Sequence, residues 1–280
     1  MQQALTDPVW GPALIALFGL MFGSFFNVVI YRLPRWLQQQ WRQECQLYLD
    51  MPNEPAPRFN LCWPASHCPH CQTPLAWWHN LPLISFILLR GRCQHCQEAI
   101  SWRYPLVELG TALLWGLIWL QLGANWLSLC LILAASMLWI LFWIDAEHQL
   151  LPDILTLPLL WAGLLSTSLT AYQPLADAVW GAALGYLSLW SLYWLFKLAT
   201  GKEGFGYGDF KLLAALGAWT GPWTLPWLLL AASVTGLFYA GVLRVLGKLA
   251  AGQAFAFGPA LVLAGGAILL LQHLYPNLLP

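Results

Sequence analysis

Long apolar runs separated by short polar connections dominate the chain, and most are as long as a bilayer requires. A helix needs about 17 to 25 consecutive apolar residues to cross hydrocarbon, and such runs fall at 12–31, 106–122, 126–144, 154–172, 178–196, 223–243 and 255–274. An eighth run, 210–220, makes only about 16 Å of helix and is too short to cross comfortably as it stands. Of 280 residues 59% are hydrophobic and 9% charged, with a mean hydropathy of +0.61. An ordinary soluble domain is excluded. The pattern predicts an all-α polytopic membrane protein.

Charge fixes the path of the short run, because Lys and Arg favour cytoplasmic loops near span ends. All twelve basic residues can lie on one side: Arg32, Arg35, Arg42, Arg58, Arg90, Arg92 and Arg103 about the first connection, Lys197, Lys202 and Lys211 farther on, then Arg244 and Lys248. For Lys211 and Arg244 to share that side, the chain between them must go in and return, turning at Thr220-Gly221-Pro222. This makes about eight transmembrane elements with both termini periplasmic. The N-terminal segment has neither a basic n-region nor a small-residue cleavage site, so no removable signal peptide is expected.

The largest polar portion, 33–104, follows a first helix in 1–32 and precedes a membrane core in 105–280. Cys68-Pro-His-Cys71 and Cys93-Gln-His-Cys96 are two C-x2-C turns with a 21-residue spacer. Each such turn aims two thiolates at one point, and two turns complete a tetrahedral zinc shell. Four protein ligands leave no open position, so the metal is structural in this reading. The rival reading, a pair of disulfides, is disfavoured in a reducing cytoplasm. His67, His70, His79 and His95 are expected to stand aside, although exchange of one for a cysteine ligand stays open. Between the turns, the apolar stretch 81–89 is too short to span and either packs under the zinc domain or dips into the interface. Gly181, Ala182, Gly185, Gly236 and Gly241 suit close helix packing.

Two acids have the same topological position. Asp145 closes the run 126–144, and Asp209, in Gly206-Tyr207-Gly208-Asp209, opens the short run. Carboxylates brought to one depth from separate helices can share a proton and activate water. The same acids equally suit a transporter or scaffold that uses them as an ion or proton site, although transport sites usually lie near the midplane. No G-x-S-x-G elbow or H-E-x-x-H helix supports another hydrolase class.

Several motifs together are specific: residues 22–34, the two cysteine turns, Arg103-Tyr-Pro-Leu-Val-Glu108, the stretch Ile144-Asp-Ala-Glu-His-Gln-Leu-Leu-Pro-Asp153, and 206–217 with its G-x-G-D. In these the chain resembles the type IV prepilin peptidases over nearly its whole length. The resemblance implies a G-x-G-D intramembrane aspartyl protease of the bacterial inner membrane, with Asp145 and Asp209 catalytic and the soluble domain and catalytic face cytoplasmic. Its substrates would be membrane-inserted prepilins or type II secretion pseudopilins, cut after a glycine just ahead of the hydrophobic helix. The new N-terminus would then be methylated with S-adenosylmethionine.

Two carboxylates a few ångströms apart cannot both ionise cheaply, so the dyad is expected to titrate as a pair. Gly206 and Gly208 either let a substrate backbone come close or simply form a loop leading into the helix. Asp153 reads as an N-cap from its position and, through the resemblance, as active-site support. Lys211, two residues from Asp209, is grouped with the active-site support alongside Gly206, Gly208 and Asp153, its simpler reading being a lysine that snorkels to the interface. Glu108 is costly unless paired, and both a place in the site and a salt bridge to an arginine are open. No nucleotide-binding glycine loop is present, so methylation rests on resemblance alone, with Gly91 matching a position linked to it. The portion 33–104 carries six arginines against four acids, a net of +2, and offers no acidic cradle for a basic leader. The bilayer is an expected partner and nucleic acid is not.

Overall fold

The computed structural model describes residues 10–51, 59–202, 204, 206–247 and 255–274. Arg58, Lys248, Glu54 and both chain ends, used above in the charge argument, lie outside the described residues. The described residues are helical with no strand, only two isolated β-bridges, His67 with Pro74 and Arg92 with Ala99. In chain order the helices are α1 (Trp10–Tyr48), α2 (Ile84–Leu88), α3 (Arg103–Leu122), α4 (Trp126–His148), α5 (Asp153–Thr170), α6 (Leu175–Thr200), α7 (Tyr207–Thr220), α8 (Leu225–Val245) and α9 (Gly258–Leu274). Six are long and apolar enough to cross a membrane: α1, α3, α4, α5, α6 and α8. With the shorter α7 and α9, the eight expected runs each have their helix. Contacts divide the chain into two compact units, Met1–Ala124 and Asn125–Pro280.

In the first unit α1 and α3 run antiparallel at close range because small residues face the opposing backbone. A Cβ on Gly19 would stand 2.8 Å from the Ala112 Cα, and one on Gly23 would stand 2.6 Å from the Glu108 Cα. Four residues farther along, the buried Asn27 amide donates to the Tyr104 carbonyl at 3.1 Å. Such spacing brings backbones together where lipid supplies no hydrophobic drive. Past the apolar run, α1 continues through Pro34 to Tyr48, well into the stretch read as soluble. Just before Pro34, the Arg32 guanidinium donates to the carbonyls of Asn60 and Leu61 at 3.3 and 3.2 Å.

The second unit is built around α7, whose residues Asp209–Thr220 are all buried except Lys211. Helices α5, α6 and α9 pack on it. Gly181 of α6 lies on the carbonyl of Gly217, and a Cβ on Gly185 would come 2.7 Å from the Leu213 carbonyl oxygen. On another side, Trp219 Nε1 donates to the Leu159 carbonyl of α5 at 2.9 Å, beside Gly163. Gly241 has nothing within 4 Å of where its Cβ would stand, so it is not a packing glycine as its sequence context had implied. A 14-residue helix is about 21 Å long and ends within the protein, where its last carbonyls need partners. They have them. The Gly221 amide donates to Gly217 at 2.8 Å, Gln173 to Ala218 at 2.9 Å, the Tyr172 hydroxyl to Trp219 at 3.1 Å and Gln272 to Thr220 at 2.9 Å.

Candidate active site and metal centre

Asp145 lies one turn before the end of α4, where the chain reverses: Gln149, at φ 51, donates its amide to the Asp145 carbonyl at 2.9 Å. Asp209 lies in the first turn of α7, and its Oδ2 accepts from the Gly206 amide at 3.2 Å. Both are buried, at 5% and 8% exposure. They belong to the same unit. The N-terminus of α9 supplies a third wall. A Cβ on Gly258 would stand 2.5 Å from Asp145 Oδ2 and 2.9 Å from its Cγ. Asp145 Oδ2 is a buried acceptor without a hydrogen-bond partner, which is costly in an interior unless a reacting group or water uses it.

The glycines of the G-x-G-D run differ in purpose. Gly206 is extended, at φ −82 and ψ 148, and its nearest neighbour beyond the adjacent residues, Asp209 Oδ2, would be 3.6 Å from a Cβ. Gly208 is held by packing, since a Cβ there would be 2.8 Å from that of Leu151. Leu151, from the loop after α4, also reaches Gly258, so one side chain touches the α7 and α9 walls. Sequence reading missed Gly258 and Leu151. The Gly-Pro pair opening the last apolar run was a visible signal for a helix start, but nothing in it pointed to Asp145.

Asp153 and Lys211 meet. Lys211 Nζ lies 2.7 Å from both Asp153 carboxylate oxygens, tying the starts of α5 and α7 together on the half-exposed side. Lys211 therefore has a specific partner beyond simple snorkelling. Asp153 is also not the cap of α5: Pro152 holds that position, and Asp153 is the first helical residue, favourable to the helix dipole.

The four cysteines lie in the first unit as a local duplication that the sequence reading did not notice. Each turn reads Cys-x-His-Cys-Gln. Cys68 donates its amide to Thr73 at 3.0 Å and accepts from Gln72 at 2.9 Å; Cys93 donates to Glu98 at 2.9 Å and accepts from Gln97 at 3.0 Å. Gln72 and Gln97 are both left-handed, at φ 59 and 58. The four sulfurs lie within 4.8 Å of one another, with Cys68 and Cys96 at 3.9 Å. Tetrahedral zinc with ~2.3 Å bonds places its sulfurs about 3.8 Å apart, so the cluster fits such an ion. The cysteines are not disulfide-bonded. Hydrogen bonds from the Thr73 hydroxyl and amide hold the Cys71 thiol down at about 6, favouring the thiolate that metals bind. His79 is engaged elsewhere, accepting at Nδ1 from the Ala76 amide at 3.2 Å, with Nε2 2.9 Å from the Gln94 side chain.

Gly91, carried over for methylation, has a local structural reason. It is left-handed at φ 67, and a Cβ would meet the Phe86 ring at 3.1 Å. Glu108 is in the first unit, and its Oε2 accepts from the Leu83 amide at 2.8 Å.

Residues 17–122 match the family described as Bacterial Peptidase A24 N-terminal domain, and residues 132–241 match the Type IV leader peptidase family. Among curated relatives, a prepilin leader peptidase/N-methyltransferase of Stutzerimonas stutzeri is 49% identical over 253 residues, covering 90% of this chain and 88% of its own. One from Aeromonas hydrophila is 51% identical over 260 residues, covering 92% and 90%. One from Pseudomonas aeruginosa is 47% identical over 255 residues, covering 91% and 88%. No solved structure matches the chain.

Proposed function

Because the chain belongs to the type IV leader peptidase family, we propose that it cleaves the leader from membrane-inserted prepilins or pseudopilins with Asp145 and Asp209, then methylates the new N-terminus. The observation that carries this reading is the placement of the pair: two buried acids, from the end of one helix and the start of another, flank Leu151 and Gly258 inside one compact unit. The ion-site alternative draws no support, since both acids lie at helix ends rather than at mid-span.

In the proposed reaction one carboxylate is ionised and its partner protonated. The ionised group takes a proton from water as the oxygen attacks the scissile carbonyl, while the protonated group gives its proton to the carbonyl oxygen. The tetrahedral gem-diol then collapses: one hydroxyl returns its proton to the carboxylate that had protonated the carbonyl oxygen as the C=O reforms, the C–N bond breaks, and the leaving amine receives a proton from the carboxyl that had accepted one from water. The pair is left again with one proton between them. Gly258 lies against Asp145 on the α9 side, Gly206 holds Asp209, and the Asp153–Lys211 pair fixes the helix starts behind them. Cys68, Cys71, Cys93 and Cys96 would hold zinc, which would organise the domain and take no chemical step. S-adenosylmethionine would supply the methyl group. The catalytic face and the cysteine domain would lie on the cytoplasmic side of a bacterial inner membrane, a reading supported by the concentration of basic residues.

The test is cleavage of a co-expressed prepilin by Asp145→Asn and Asp209→Asn variants that remain inserted at normal levels. Loss of cleavage in both is expected, and full cleavage by either would remove that acid from the reaction.

A further inference from the structure

The segment 81–89, between the two cysteine turns, exposes an apolar face that the proteolytic chemistry does not use. Ile87 and Leu88 of the short helix α2 are 70% and 71% exposed. Ile84 and Leu81 are exposed beside them. Such a face on a water-soluble domain would be unfavourable, and the anchoring of the segment points to a different neighbour.

Two fixed points set its depth. The Leu83 amide, on a left-handed residue at φ 57, donates to Glu108 at 2.8 Å. Glu108 is in the second turn of α3, inside the apolar run. On the facing helix, the Ser24 hydroxyl, deep within the apolar run of α1, donates to the Asn80 carbonyl at 3.2 Å. Glu108 is five residues past Arg103, about 7.5 Å farther along the helix. The segment thus dips to the level of the first turns of the apolar run. There, a free backbone amide is expensive and irregular backbone survives only with internal partners. Glu108 is that partner. It is itself buried against Gly23, where a Cβ would clash at 2.6 Å.

The exposed face also continues one that must meet lipid. Leu106 and Leu109 of α3, and Phe22 and Phe25 of α1, are exposed at the same level. The exposed Trp102 lies just above, its ring 5.1 Å from that of Phe86, in the headgroup position Trp favours. Exposed Arg90 and Arg92 rim the segment on its aqueous side, suited to anionic headgroups.

We propose that residues 81–89 form a re-entrant hairpin seated at the headgroup–acyl boundary of the membrane, with Ile84, Ile87 and Leu88 in lipid and Glu108 as its clamp. The cysteine centre is thereby held at a fixed height over the bilayer. The proposal is independent of the aspartate chemistry.

The experiment places the photoreactive residue p-benzoylphenylalanine at Ile87, Leu88 or Gln94 of the full chain, reconstituted in vesicles of phosphatidylcholine with or without phosphatidylglycerol. Mass spectrometry then reads what each position captures. Positions 87 and 88 are expected to capture phospholipid, several-fold more with phosphatidylglycerol present, and position 94 little or none. Glu108→Ala should cut lipid capture at 87 several-fold, while Glu108→Gln, which keeps an acceptor oxygen for Leu83, should largely restore it. Capture only of protein, or of nothing, at 87 and 88 overturns the proposal. So does capture indifferent to Glu108→Ala in a folded protein.

Discussion

Gly258→Ala adds one carbon to the wall of the active site and tests the geometry around Asp145. The new Cβ would lie 2.5 Å from Asp145 Oδ2 and 2.9 Å from its Cγ, whereas ordinary contact begins at 3.4 Å. About 0.9 Å of displacement is required, and the atom in the way is the end of a side chain, so the carboxylate yields before the helices do. Misplacing a reacting group by ~1 Å costs on the order of 10²-fold in rate, equivalent to about 2.7 kcal/mol of barrier. Helix propensity acts in the opposite direction, since Gly→Ala within a helix favours folding by up to ~1 kcal/mol. The variant should therefore stay folded and cleave a prepilin about 100-fold more slowly in a single-turnover assay. Gly266→Ala, on the same helix with nothing within 4 Å, is the control and should cleave normally. Cleavage by folded Gly258→Ala at the wild-type rate would refute the placement of α9 against Asp145.

Gly181→Ala forces a Cβ onto the Gly217 backbone and should destabilise the α6–α7 contact by about 1–3 kcal/mol; Gly241→Ala, mid-helix with open space around its Cβ, should not lower the unfolding midpoint and should raise it slightly. Lys211→Met breaks the pair with Asp153, which is half-exposed, so thermal unfolding should show a loss of no more than about 1 kcal/mol, and less in high salt. Wild-type protein should carry about one zinc per chain by elemental analysis, lost in Cys68→Ser or Cys93→Ser; a metal-free, folded wild-type protein would contradict the four-thiolate centre.

Eight helices were legible in the chain because lipid imposes one requirement, sustained apolarity, that length and hydropathy report directly. The cysteine cluster was legible because its geometry is local to two C-x2-C turns. Asp145 and Asp209 stood out because an acid at the edge of an apolar run is rare. What escaped is what depends on a neighbour. The Asp153–Lys211 pair joins residues 58 apart in the chain, and either alone looked like a helix-end residue content with water. Gly258 went unremarked in the sequence because its closeness to Asp145 appears only once α9 is packed beside α4. The burial of α7 resolved its shortness: with protein on its sides and Gln173, Tyr172 and Gln272 on its last carbonyls, it need not cross lipid alone. The continuation of α1 past Pro34 was hidden because proline and polar residues usually mark an end.

The most direct test of the joint action of the two acids is a rate cycle on prepilin cleavage by wild type, Asp145→Asn, Asp209→Asn and the double variant, alongside methylation of a precleaved substrate. Groups acting as one unit are non-additive, so each single change should abolish cleavage as fully as both together while methylation persists. Appreciable cleavage by either single variant, with the double variant losing the product of two partial effects, would show that the acids act separately and contradict the account.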